Sequence, residues 1–519
     1  MKQTIRFKSF PTAILLVIFG WLISAQCTSL AHAQSAQPNI IIIMPDDAGY
    51  GDYASLGSPI IHTPMVDAFK EESLLFTQFH VSPKCSPTRA ALMSGRHEFK
   101  NGVTHTVFER ERLSLETVTI SQMLQEAGYA TGIFGKWHLG DEAPYRPENR
   151  GFDEVYIHAG GGIGQTFPGS CGDAPGNSNI NPALWHNGIW EKKIGYSTDL
   201  FFEQALQWMN EKREKNEPFF TYLPLNAAHG PYIVPEKYYQ HYLGLPGVDE
   251  ETAKFYGMLE NVDTNFGELL LKLEDWGISD NTLVIFMGSD NGGTKGVPIF
   301  NAGMREGKGS PYQGGTRVPM FVRWPKGGIL PNTETDALTA HIDIFPTLAE
   351  VAGAKLPTNT QNQLDGISLV PLLKNPESAW EDRTLVHHFG NWAQGKASES
   401  KYRRSAIQNS RFTLVNNTEL YDLKADRGEN KNVISEHPEV VAELRAIYEL
   451  WWMEVQPLLI NEDKIGPKIN PMKELYWKQF GGEPDEELLN RMDPNNAVKM
   501  SQEIAERNEK NWANKAKKE

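Results

Sequence analysis

The chain has 519 residues, 40% of them hydrophobic and 22% charged, with a formal net charge of −15. That length exceeds what one hydrophobic core usually serves, so two domains are expected, and the composition is that of a globular protein rather than a disordered or fibrous one. The acidic balance argues against nucleic acid or an anionic membrane surface as partner, and an anionic substrate would need a local concentration of positive charge at its site.

In chain order, the first segment reads as an export signal. Lys2, Arg6 and Lys8 precede a short apolar run over 11–25, and Ala31-His32-Ala33 is a small-x-small cleavage site. The run is shorter than the about 20 residues of a spanning helix, which argues against a permanent anchor and against stable membrane insertion. Gln26 is too bulky to make Cys27 a good lipoprotein site. The mature protein is therefore expected in the periplasm or secreted.

From about 38 to 354, apolar runs alternate with helical segments. Ile40-Ile41-Ile42-Ile43-Met44 is continuous and β-branched, as in a strand buried on both faces, and 219–223, 282–287 and 318–324 read similarly. Helical patterns occupy 117–127, 198–215 and 342–352, the first and last stopped by Gly128 and Gly353. This alternation predicts an α/β fold with a mostly parallel sheet sandwiched by helices. Beyond about 373, short strands at 385–389, 402–407, 411–415 and 419–423 alternate with polar turns, and a helix follows from Pro438 with Val441, Leu444, Ile447, Tyr448, Trp451 and Val455 on one face. A smaller C-terminal α+β domain with an antiparallel sheet is expected there. The predicted boundaries are 1–33 for the signal peptide, 34–372 for the large domain, 373–469 for the small one and 470–519 for a charged helical tail, docked or partly free.

Three predicted strands end in polar clusters: Asp46-Asp47 after 40–44, Asn226 to His229 after 219–223, and Asp290-Asn291-Gly292 after 282–287. Ligands of open α/β sheets bind beyond the carboxyl ends of strands. Adjacent aspartates repel, and oxygen donors of this kind suit Ca²⁺ or Mg²⁺, although each pair alone is also ordinary turn chemistry. Cys85 opens the stretch Cys85-Ser86-Pro87-Thr88-Arg89, where Pro87 suits the first turn of a helix and Gly95 its stop. A helix N-terminus and Arg89 would both stabilise an anion there. With Cys27 in the signal, Cys85 and Cys171 remain; a single bridge between them and a chemical role for Cys85 are both open.

Cys85-Ser86-Pro87-Thr88-Arg89 with Gly95-Arg96 resembles the hallmark of the type I, formylglycine-dependent sulfatases of the alkaline phosphatase superfamily. Gly128-Tyr129 through Gly135-Lys136-Trp137-His138 resembles their second signature. Asp46-Asp47, Asp290-Asn291-Gly292, Gly307-Lys308-Gly309 and Leu420-Tyr421-Asp422-Leu423 follow in the family order. Lys84 departs from the pattern, since an apolar residue is commoner there. The resemblance implies an arylsulfatase-like hydrolase. Cys85 would be oxidised to formylglycine (3-oxoalanine) by a maturation enzyme. Asp46, Asp47, Asp290 and Asn291 would bind one Ca²⁺ per chain, with the modified Cys85 completing the shell. Arg89 and Lys136 would hold the formylglycine and the sulfate, His138 would take a proton from the hydrated aldehyde, and His229 and Lys308 would contact the ester and help the leaving oxygen.

The expected substrate is a sulfated carbohydrate or a small aryl sulfate. Trp185, Trp190, His186 and Gly160-Gly161-Gly162 lie in an insert that either shapes a sugar subsite or packs. The alternatives of another class are a phosphodiesterase or phosphonate monoester hydrolase of the same superfamily, and an inactive relative that only binds sulfated glycans.

Overall fold

The computed structural model describes residues 37–361 and 363–516; the predicted signal peptide lies outside the described residues. Strands are β1 Asn39–Met44, β2 Leu74–His80, β3 Ala130–Lys136, β4 Glu154–His158, β5 Ala183–His186, β6 Ile189–Lys192, β7 Phe219–Pro224, β8 Thr282–Met287, β9 Arg317–Arg323, β10 Thr333–Thr335 and β11 Thr339–Ala340. They form one sheet in the order β10-β2-β9-β8-β1-β7-β3-β4-β5-β6, with β11 also pairing β2. Its centre, β8-β1-β7-β3-β4, is parallel throughout. β1 shows why: Ile40, Ile42 and Met44 enter one hydrophobic core and Ile41 and Ile43 the other, so both faces are covered and the strand carries no polar side. The helices Ser197–Glu214 and Glu250–Asp275 cover one face, and Ile120–Glu126 and Ile344–Ala352 the other.

Local chemistry sets the helix ends. Ile120–Glu126 begins at a capping box of Thr119 and Gln122, so the predicted helix is three residues shorter at its start. Ile344–Ala352 stops at Gly353 in the left-handed region.

A second, antiparallel sheet holds β12 Leu385–His388, β13 Ser405–Gln408, β14 Phe412–Val415 and β15 Glu419–Asp422, in sequence order. The helix Pro438–Val455 packs on it through Val441, Leu444, Tyr448, Trp451 and Val455, with Trp452 added and Ile447 at the margin. The chain then returns to the large sheet. Helices Pro471–Phe480, Glu486–Met492 and Ala497–Ala516 follow, and Asn470, Met472 and Lys473 are buried, so of the two readings of the tail the docked one holds over the described residues. No described helix is long and apolar enough to cross a membrane.

Candidate active site

Because β8, β1, β7 and β3 run parallel side by side, their carboxyl ends open on one edge of the sheet. β1 delivers Asp46 and Asp47, β8 delivers Asp290 and Asn291, and β7 leads to His229. β3 delivers Lys136 as its last residue and His138 just beyond. Gly135 permits this approach, since a Cβ there would fall 2.1 Å from the Pro224 carbonyl of the neighbouring strand. The β1 end is locked by Asp46 N–H donating to Ala227 O at 2.7 Å and Ala228 N–H donating to Asp46 O at 2.7 Å.

Cys85 is the first residue of the helix Cys85–Ser94, with Lys84 as its cap, one position inside the start expected from sequence. All ten residues of this helix are buried, and it stops at Gly95 with φ 67°. The positive end of this helix therefore lies at Cys85, inside the protein. Cys85 and Cys171 are both free thiols, which excludes the bridge.

Arg89 pairs with Asp290 through Nη2 at 2.7 Å and Nε at 2.8 Å, and donates from Nη1 to the Lys136 carbonyl at 2.8 Å. Lys136 is fully buried with Nζ 2.5 Å from Asp46 Oδ2. Lys308 is paired with Asp47, which also accepts from Asn291 Nδ2 at 3.0 Å. Neither lysine is a solvated surface charge. Asp46, Asp47 and Asp290 bring carboxylate oxygens within 4.8 Å of one another.

This set fits a cation. Asp46 Oδ1, Asp290 Oδ1 and Asn291 Oδ1 are buried and have no hydrogen-bond partner, a costly arrangement unless something positive meets them. The electrostatics carry the same signal. Burial and the neighbouring Asp46 raise the Asp290 carboxyl to about 6 despite Arg89 and Lys136. Burial pushes Asp47 up as well, but Lys308 and His229 outweigh it and hold the carboxyl well below its ordinary value. Asp47 and His138 are non-glycine residues in the left-handed region, at φ 62° and 60°, a strained conformation that functional sites often keep.

His138 has a fixed tautomer. Its Nε2 lies 2.7 Å from the Thr106 carbonyl, which only accepts, so Nε2 carries the proton and Nδ1 keeps its lone pair. That lone pair faces Cys85 Sγ at 3.5 Å. Burial first, then the charge of Lys136, depress the ring well below the usual imidazole value, so it is neutral and able to accept. The same argument gives His229 a proton on Nδ1, 2.7 Å from Gly230 O, and leaves Nε2 free. Burial lowers this ring to about 4, against the pull of Asp47. His229 and Lys308 are only half-buried, and form the mouth of an otherwise enclosed site.

All ten expected site residues therefore meet at one place. Thr106 is not among the residues expected from sequence, and Gly161, named there within its glycine run, is not expected beside His138. A Cβ at Gly161 would fall 2.5 Å from His138 Nε2, so the glycine run packs against the histidine. Trp185 and Trp190 are buried in the core, and His186 bonds Glu154 and Glu191 at 2.9 and 3.0 Å; for these three side chains packing is the reading observed, whereas the glycine run lies against His138 and His229.

A family model described as "Sulfatase" matches residues 38–354, and one described as "N-sulphoglucosamine sulphohydrolase, C-terminal" matches 308–450. The chain is 31% identical to Arylsulfatase A of Bos taurus, over 82% of this chain and 89% of that protein. It is 30% identical to a sulfatase of Formosa agariphila, again over 82% and 89%. Among solved structures, the crystal structure of Ps i-CgsB in complex with k-i-k-neocarrahexaose superposes with a TM-score of 0.69 at 29% identity, covering 87% of this chain and 99% of the other.

Proposed function

The chain belongs to the sulfatase family and is a sulfuric ester hydrolase, and on that premise we propose that it desulfates a sulfated glycan by means of a formylglycine made from Cys85 and one Ca²⁺ held by Asp46, Asp47, Asp290 and Asn291. The reaction is R–O–SO₃⁻ plus water to R–OH plus sulfate. The observation that carries the reading is the trio of orphaned oxygens on Asp46, Asp290 and Asn291, in a site shared with Cys85 and three cationic side chains. Ca²⁺ would supply positive charge at the sulfuryl oxygens, and the hydrated aldehyde of formylglycine an oxygen nucleophile.

The remaining work falls to side chains. Arg89 and Lys136, held by Asp290 and Asp46, add fixed positive charge beside residue 85 that needs no reorganisation as the reaction proceeds. His138 takes a proton at Nδ1 from the side chain of residue 85, its orientation set by Thr106. Lys308 meets the sulfate at the mouth, drawing on the local positive field that the acidic chain otherwise lacks. His229 directs Nε2 toward the leaving oxygen. An arriving anionic ester raises its proton affinity, which lets it donate.

A saccharide substrate is motivated by the neighbour's complex with k-i-k-neocarrahexaose, and a small aryl sulfate by the arylsulfatase relatives. The predicted signal over 1–33 would carry the chain to where polysaccharides occur, and a formylglycine-generating enzyme would be its partner on the way.

The test is sulfate release from carrageenans, glycosaminoglycan fragments, monosaccharide sulfates and an aryl sulfate. Wild type and Cys85→Ala run side by side with calcium present, and the mass of the Cys85 peptide reports conversion. Release by converted wild type alone supports the reading. Plain cysteine in active protein from the native host would sink the nucleophile, and faster turnover of matched phosphate esters would move the chain to the phosphoryl alternative.

A further inference from the structure

The helix Ala497–Ala516 lies beyond both matched regions, yet it walls a cavity of about 1080 Å³. The opposite wall is the 389–404 segment between β12 and β13. Five cationic residues line the cavity against three carboxylates, in a chain whose net charge is −15. Three of the five have carboxylate partners: Lys396 with Glu399, Lys401 with Glu449, and Arg403 with Glu509. Among the described residues Lys510 makes no ion pair, and Arg404 makes none although the Glu306 and Glu509 carboxylates lie near enough to act on it, so cations outnumber carboxylates in the lining and the space favours an anion.

Its lining also suits the faces of sugar rings. Trp512 is half-buried and stacks on Tyr312 with centroids 5.9 Å apart and planes 11° apart. Arg404 lies between Phe389, 3.3 Å from the ring centroid, and Trp512, 5.0 Å away. An aromatic platform and a lining rich in cationic side chains together match a sugar bearing hydroxyl and sulfate groups.

The cavity adjoins the reaction centre. Arg404 donates to the carbonyl of Gly309, the residue after Lys308. On the other side, Lys84 sits 5.1 Å from the Phe389 centroid and immediately precedes Cys85. The wall formed by Phe389 and Arg404 thus stands between the cavity and the mouth of the site.

We propose that the cavity between the Ala497–Ala516 helix and the 389–404 segment is a subsite for further sugar units of a sulfated oligosaccharide whose reacting sulfate lies at Lys308. The inference rests on the glycan reading above. It makes the tail a selector for chains over single sugars and aryl sulfates.

Full-length Trp512→Ala and Lys510→Gln are compared with wild type on sulfated hexasaccharides, from carrageenan and from chondroitin sulfate, and on an aryl sulfate. Melting midpoints serve as the control for folding. The expected result is a loss of roughly tenfold in kcat/KM on a hexasaccharide, carried by KM, with aryl sulfate turnover unchanged. Equal losses on both substrates, or none on either, overturn the subsite. Calorimetry with the Cys85→Ala background measures hexasaccharide binding without turnover. Binding that Trp512→Ala weakens supports the subsite even where no sulfate is released, and binding that it leaves unchanged rejects the subsite even where the sulfatase reading stands.

Discussion

Gly161 lies where an added methyl would meet His138 Nε2 at 2.5 Å. Gly161→Ala should therefore push the ring off the Thr106 carbonyl and lower kcat by roughly 10–100-fold, with KM and melting midpoint little changed. Steady-state kinetics on an aryl sulfate checks this, and an undiminished kcat would remove the orientation of His138 from the mechanism. A second residue-scale effect concerns pH. Burial and Glu111 raise the Glu109 carboxyl to about 8, and burial raises Asp141 to about 8. In the unfolded chain such groups titrate near about 4, so the folded protein holds protons that the unfolded one has released. The stability they contribute is complete below that value and is lost as pH rises toward about 8. The melting midpoint should fall across this window, and Glu109→Gln should flatten the fall; identical pH curves would refute the assignment. At this scale Cys85, Arg89, Lys136 and His138 were legible because their motifs compress the chemistry into a few positions. Thr106 and Gly161 were not, because one acts through a backbone carbonyl 32 residues from its partner and the other through a missing side chain.

The cation cradle belongs to elements rather than residues, since β1 brings two aspartates and β8 an aspartate and an asparagine to the same edge. Chelation should abolish activity and lower the melting midpoint, both restored by Ca²⁺. A ligand at a hundredfold excess over its Kd stabilises by about 2.7 kcal/mol. Scanning calorimetry in EDTA followed by Ca²⁺ measures it, and a midpoint indifferent to both would exclude a resident cation. β1, β7, β8 and β9 could be read from the sequence because strands buried on both faces are written in unbroken apolar runs. β3 escaped that reading, with Gly132 and Gly135 interrupting its run where neighbours approach closely. The β5–β6 hairpin carried a usable signal, Asn187-Gly188, whose φ values of 46° and 97° are those of a tight two-residue turn. Read as a hairpin, the insert with Trp185 and Trp190 becomes a sheet edge and not a sugar platform.

Over the whole molecule, the tail is fastened to that edge. Trp190 donates from Nε1 to Met472 O at 3.0 Å and packs on Tyr476, while its backbone N–H donates to Gln479 Oε1 at 2.8 Å and its carbonyl accepts from Gln479 Nε2 at 2.6 Å. Trp190→Ala should cost about 3–5 kcal/mol and expose the tail to proteolysis. Denaturant titration with limited digestion tests both, and a stable, protease-resistant variant would mean that the tail is anchored elsewhere. The tail's docking could not be read from its sequence, because a charged, helix-prone stretch does not name the surface it will meet. The small sheet could, because its strands are close in sequence and pair in order.

Cys85 is 4% exposed, and Ser86 through Ser94 are buried with it. A second protein could not grip this segment once the sheets have closed around it. On the proposed reading, formylglycine formation would therefore have a deadline: it would have to be finished while the chain is still extended, before the core that later shelters the site exists. A chain that folded first would, on the same reading, keep its thiol and stay idle. The fraction of active molecules in a preparation would then record a race between modification and folding, and slowing the folding should raise it.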